Sequence, residues 1–286
     1  MKLDAATFLL QLSIGGLAFC WVTTRRREVS LGYGWLLRSV FGVMAAGAVA
    51  LFANQDVTVG RGLALAGAVG VVLSTGFALA VSVARKRAGV SGREAMRAER
   101  RARVAAMVGR EATEMPDREM LPEFPPALDL IAPILGVLSL LAAAQFAGGP
   151  YFLAATRLIV GAAFLGVVTD AMLLGHWYLV QPGLERGPVK ELVLWAAILW
   201  PFEVAVFLWP VGMVQVLNGT VKDGYDGILG WIWAACAITT IALIGLTWQA
   251  LKERYYSAVM AATGLLYLAI LTGFGMDLIA RAVLKP

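Results

Sequence analysis

Eight runs of apolar residues, each close to twenty residues long and almost free of charge, constrain this chain more than anything else in it. They fall at about 4–23, 32–53, 60–84, 128–147, 152–179, 192–217, 227–250 and 257–281. An α-helix rises about 1.5 Å per residue, so roughly 20 apolar residues cross the hydrocarbon of a bilayer. Inside lipid every backbone N–H and C=O must be satisfied internally, which leaves a helix bundle or a closed barrel. A barrel needs short segments of alternating polarity, and these runs are long and unbroken. The expected fold is all-α, a polytopic transmembrane helix bundle of about eight spans. Composition agrees, with 59% hydrophobic residues, 15% charged and a mean hydropathy of +0.75. Soluble domains carry about 25% charge, and a water-facing surface could not be built from what remains.

Basic residues orient the bundle. Arg25, Arg26 and Arg27 follow the first run, and loops rich in Lys and Arg stay cytoplasmic. With these three inside, eighteen of the 24 Lys and Arg fall on the cytoplasmic side, whereas the reverse orientation inverts the bias. Both termini are therefore expected outside, in a multi-pass protein of the cell (inner) membrane. Only Lys2 precedes the first run, which reads as a span and not as a cleavable signal. The net charge of +5 follows from these loops and calls for no nucleic acid.

One long polar segment, 85–127, divides the chain into a three-helix part (1–84) and a five-helix part (128–286). It opens on Arg85-Lys86-Arg87, and Ser91 with Glu94 has the spacing of a capping box. Alanines at 95, 98, 102 and 105 then recur among arginines, before Pro116, Pro122, Pro125 and Pro126 end helix formation. The segment reads as a basic cytoplasmic helix with a Pro-rich linker. Residues 85–118 suit anionic lipid headgroups, at about 1 kcal/mol per near-surface basic residue, or an acidic partner subunit of a larger complex.

Ionisable groups deep in a span are costly and ask for an explanation. Asp170 lies about twelve residues before the turn at Gln181-Pro182 and Glu203 about twelve residues into the next helix, each roughly 18 Å from the cytoplasmic end. Antiparallel neighbours at matching depth can share a proton, so the two read as a proton or ion pathway at the midplane. Glu203 lies in Trp200-Pro201-Phe202-Glu203, with Trp209-Pro210 beyond it. Each proline removes an i→i−4 hydrogen bond and frees a carbonyl, near 197 and near 206, where a cation or water can be held.

His176, the single histidine, stands with Trp177 and Tyr178 near the cytoplasmic interface, where aromatic belts form. Together with Trp195 they are a candidate quinone site or proton relay. One histidine excludes a bis-histidine haem within one chain and leaves a haem held by His and Met, or shared across a dimer, as the lesser option beside quinone. On the last helix Asp277 and Arg281, at i,i+4, can form a structural ion pair that Arg157 joins, while Arg38 is expected to snorkel to the cytoplasmic surface. Gly62, Ala66, Gly70 and Ser74 make a stripe of small residues that admits another helix, in the bundle or across a dimer. Cys20 and Cys236 sit in apolar runs and make neither a disulfide framework nor a metal cluster.

No zinc-protease, CxxC, P-loop or dinucleotide motif is present, and few polar groups are available to build an enzyme pocket. Proton or cation movement, or proton-coupled transport of a small solute, is the leading expectation. A quinone-binding anchor subunit of a respiratory redox complex is the alternative, and a non-catalytic scaffold or assembly subunit the third.

Overall fold

The structure is a computed structural model and describes residues 4–25, 29–56, 58–87, 124–180, 184, 186–210, 212–221, 224–253 and 255–284. Among these residues every regular element is helical: α1 (Ala5–Thr24), α2 (Leu31–Ala53), α3 (Val59–Arg87), a 3-10 turn (Pro126–Leu130) that leads into α4 (Ile131–Ala143), α5 (Tyr151–Val180), α6 (Gly187–Leu208), α7 (Gly212–Leu217), α8 (Ile228–Ala250) and α9 (Tyr256–Val283). All but the short α7 are long and apolar enough to cross a membrane, counting the 3-10 turn with α4. This is the architecture of a multi-pass membrane protein. The basic segment expected over 85–118 lies outside the described residues, apart from the end of α3.

Local chemistry sets several helix ends. The Asp4 carboxylate accepts from the Thr7 backbone N–H at 3.0 Å and caps α1. Proline stands at the start of the turn before α4 and at the start of α6, where its missing N–H costs nothing. The span expected over 192–217 is corrected. α6 covers Gly187–Leu208, breaks at Trp209-Pro210, and the chain resumes as the separate α7. Pro210 cannot donate to the carbonyl one turn back, so the helix stops there.

α1 and α5 form the centre, and glycines bring them together. A Cβ on Gly15 would lie 1.7 Å from the Ala162 carbonyl oxygen, and one on Gly166 would lie 2.2 Å from the Gly15 carbonyl carbon. The two backbones therefore touch, the close approach that small residues permit between membrane helices. About 100° around α1 a Cβ on Gly16 would meet the Phe41 ring at 2.1 Å, so α1 packs on both α5 and α2. α5 also packs on α6 and α9, α8 on α9 and α6, and α3 on α2 and α4.

Of the two placements expected for the small-residue stripe on α3, in the bundle or across a dimer, the first does not hold for its first half. Gly62 and Ala66 are exposed, and a Cβ on Gly62 would meet nothing within 4 Å. Ser74 is half-buried and bonds to its own helix; Gly70 alone of the four approaches another helix, with Leu135 3.2 Å from its Cβ position. The face buried against α4 runs through Gly60, Ala64 and Gly67, where the Ser139 hydroxyl donates to the Ala64 carbonyl at 2.6 Å. Both faces of α3 are rich in small residues, and the one through Gly60, Ala64 and Gly67 is the face that packs within the bundle.

Candidate functional site

Four helices each place a polar side chain at one level near the end of the bundle that carries both termini. Gln11 is six residues into α1, Arg157 six into α5, Asp277 six before the end of α9 and Glu203 five before the end of α6. At about 1.5 Å per residue these depths agree to within a couple of ångströms. Arg281 joins from α9. All five are buried: Gln11, Glu203 and Asp277 are 0% exposed, Arg281 2% and Arg157 6%.

Arg281 organises the cluster. Its Nε donates to Asp277 Oδ2 at 2.6 Å and its Nη2 to Gln11 Oε1 at 2.5 Å, which ties α9 to α1. Gly161 makes room on α5, since a Cβ there would sit 2.1 Å from Gln11 Nε2, 3.3 Å from Arg281 Nη2 and 3.4 Å from Asp277 Oδ1. Asp277 and Arg281 are the charges that act on Glu203. Asp277 is thus a neighbour of Glu203, and no hydrogen bond joins the two carboxyls. Neither oxygen of Glu203 has a hydrogen-bond partner among the described residues, nor do Asp277 Oδ1 and Gln11 Nε2. Buried polar groups are normally satisfied, so these unpartnered atoms from three helices make the cluster the candidate site.

Arg157 is held apart from the ion pair. Its Nε donates to the Val206 carbonyl at 2.8 Å and its Nη2 to the Trp209 carbonyl at 3.1 Å. Val206 is the residue whose helical donor would be Pro210. The carbonyl freed near 206 is thus taken by a guanidinium from the neighbouring helix, where the sequence suggested a cation or water. No carboxylate bonds Arg157 among the described residues.

The structure separates Asp170 from Glu203. Asp170 lies ten residues before the end of α5 at Val180, about 15 Å, and Glu203 sixteen residues after the start of α6 at Gly187, about 24 Å. Matching depth assumed a sixth span beginning near 192, whereas α6 begins at Gly187 and places Glu203 a turn further in. Asp170 faces the α1–α2 side, near Cys20 and Tyr33. The Tyr33 hydroxyl donates to its backbone carbonyl at 3.1 Å, and both carboxylate oxygens lack a partner among the described residues.

Arg38 does not snorkel. It is 2% exposed and donates through Nε and Nη2 to Asp129 at 2.7 and 2.6 Å, with Thr24 donating to the same carboxylate at 3.1 Å. The Phe124 ring lies 4.4 Å from the guanidinium. This bidentate pair fastens α2 and α1 to the turn before α4, while Arg25 pairs with Glu191 to join α1 and α6. Asp129 went unrecognised because it follows Pro126 at a span boundary, and Gln11 because it is uncharged. A polar residue inside Leu9-Leu10-Gln11-Leu12 was the available signal.

His176, Trp177 and Tyr178 diverge. His176 is exposed, with Nδ1 3.2 Å from the Tyr267 hydroxyl on α9; Trp177 donates to Ser30 at 3.1 Å and lies against Tyr33; Tyr178 is buried. Trp195 packs edge-on against Phe19. No group of three or more His, Cys, Asp or Glu able to hold a metal occurs among the described residues. Compared with known proteins, the chain matches no family model, no curated protein and no solved structure.

Proposed function

We propose that this multi-pass protein moves protons through its bundle, or couples a proton to the passage of a small solute, with Glu203 as the group that takes up and releases the proton. One observation carries the reading. Glu203 is fully buried, both its oxygens are unpartnered among the described residues, and it stands beside the Asp277–Arg281 pair. An intramembrane ionisable residue is expensive to keep, and in pumps and transporters such residues form proton relays. Asp277 and Arg281 supply fixed charges that respond when Glu203 changes state. Asp170, about 9 Å nearer the other end, is a second station on the same route.

The distribution of basic residues supports a cell (inner) membrane location with both termini outside, which opens the Glu203 cluster toward the external side. The quinone alternative draws less support, because its candidate residues point to different neighbours. The test is proton flux in vesicles reconstituted with purified protein and loaded with a pH-sensitive dye. Glu203→Gln abolishes the response to an imposed pH gradient, whereas the exposed Tyr255→Phe leaves it intact. Equal flux through Glu203→Gln and the unaltered chain would remove the proposal.

A further inference from the structure

Among the described residues three guanidiniums are buried within the spans at 6% exposure or less: Arg38, Arg157 and Arg281. Arg38 is neutralised by Asp129 and Arg281 by Asp277. Arg157 has no carboxylate partner among the described residues: it donates to two carbonyls and lies 5.8 Å from the Phe207 ring centroid. Buried charges are ordinarily paired, because an isolated ion in a low-dielectric interior is costly. Backbone carbonyls orient a guanidinium and solvate it partly, but they carry no net charge to balance it.

How Arg157 is held decides what it can accept. The carbonyls of Val206 and Trp209 occupy its side edge, Nε and Nη2. The terminal edge, Nη1 with the second hydrogen of Nη2, makes no hydrogen bond among the described residues. Two parallel N–H groups on such an edge match the paired oxygens of a carboxylate or phosphate. Arg157 lies one helical turn from Gly161, which abuts Arg281, so a second guanidinium adds to the positive field. It is also the most exposed member of the cluster, at 6% against 0% for Glu203 and Asp277.

We infer that Arg157 is the receptor for a small oxyanion, bound end-on through its terminal amidinium edge within the polar cluster. As the substrate of a proton-coupled carrier the anion rests on the reading of Glu203 above; as a bound ligand it rests on Arg157 alone. Its source is a soluble carboxylate or phosphate, or the phosphate of a lipid headgroup.

Thermal unfolding of the full chain in detergent, at constant ionic strength, separates these cases. Sodium acetate, sodium phosphate and phosphatidylglycerol in mixed micelles are titrated separately against sodium chloride. At least one probe raises the melting temperature saturably. Arg157→Lys, which keeps the charge but loses the fork, weakens the apparent affinity at least about tenfold, the loss expected for one charge-assisted hydrogen bond. Arg61→Gln removes an equal charge from the same end and leaves the affinity unchanged. A response to acetate or phosphate assigns a soluble ligand, and a response to phosphatidylglycerol alone assigns a headgroup. No saturable shift with any probe, or an equal shift in Arg157→Lys that remains folded by circular dichroism, overturns the inference. Glu203→Gln still binds the probe, so loss of flux in that variant and loss of anion binding are read independently.

Discussion

Arg157 donates to the carbonyl of Val206 at 2.8 Å, and Val206 is the position whose helical hydrogen bond Pro210 cannot make. A helix break in one span thus becomes the anchor for a charged side chain from the span before it. The same break ends α6 five residues beyond Glu203 and sets the depth of the whole polar cluster.

Removal of the anchored side chain tests that link. Arg157→Met orphans the carbonyls of Val206 and Trp209. Unsatisfied buried groups cost about 1–3 kcal/mol each, while side-chain hydrogen bonds between membrane helices average only about 0.6 kcal/mol. A net loss of about 1–3 kcal/mol is expected, measured by reversible denaturation in mixed micelles.

The central helix crossing is predicted to be intolerant of a single methyl group. Gly15→Ala drives Cβ against the Ala162 backbone, which cannot rotate away, and overpacking of this kind costs about 1–3 kcal/mol or more. Gly62→Ala and Gly76→Ala add a methyl group to open surface and leave the melting temperature unchanged. Equal sensitivity at positions 15 and 62 would contradict the packing of α1 on α5.

The Arg38–Asp129 pair is expected to behave as a buried ion pair. Arg38→Met or Asp129→Leu alone strands a charge and destabilises by about 3–5 kcal/mol, whereas the double variant recovers much of the loss. A double-mutant cycle on thermal stability measures the coupling. Additive single effects would show that the two charges do not depend on one another.

Asp170 and Glu203 are predicted to act as separate stations. Groups more than about 7–10 Å apart with no shared partner show nearly additive effects. The flux defects of Asp170→Asn and Glu203→Gln, each expressed as the logarithm of the rate, sum in the double variant at every pH. A double variant no worse than the poorer single one would return the two acids to a coupled pair.

The spans were readable from the chain because lipid imposes a length and a polarity that few other solvents demand. Seven of the eight lie close to their expected positions, and the exception is where Pro210 interrupts an apolar run that hydropathy treats as continuous. Which side chains face one another was far less readable. In water an apolar stripe identifies the buried face, but in a bilayer the lipid-facing side is equally apolar. The stripe through Gly62 and Ala66 therefore looked as good as the buried one through Gly60, Ala64 and Gly67. The i,i+4 pair of Asp277 and Arg281 was legible because one helix holds both residues. Their neighbours Gln11 and Glu203 arrive from sequence positions far away, and nothing local signals that they meet. Asp129 was hidden for a related reason, since an acid beside prolines at a span boundary reads as solvated until α2 brings Arg38 to it.

The most direct test of the central claim is infrared difference spectroscopy of the reconstituted protein across a pH titration, following the carbonyl stretch of protonated carboxylic acids. The account predicts a band that appears and disappears with pH, persists in Asp170→Asn and is absent from Glu203→Gln. A titrating band that survives unchanged in Glu203→Gln would mean that another group carries the proton, and would contradict the account.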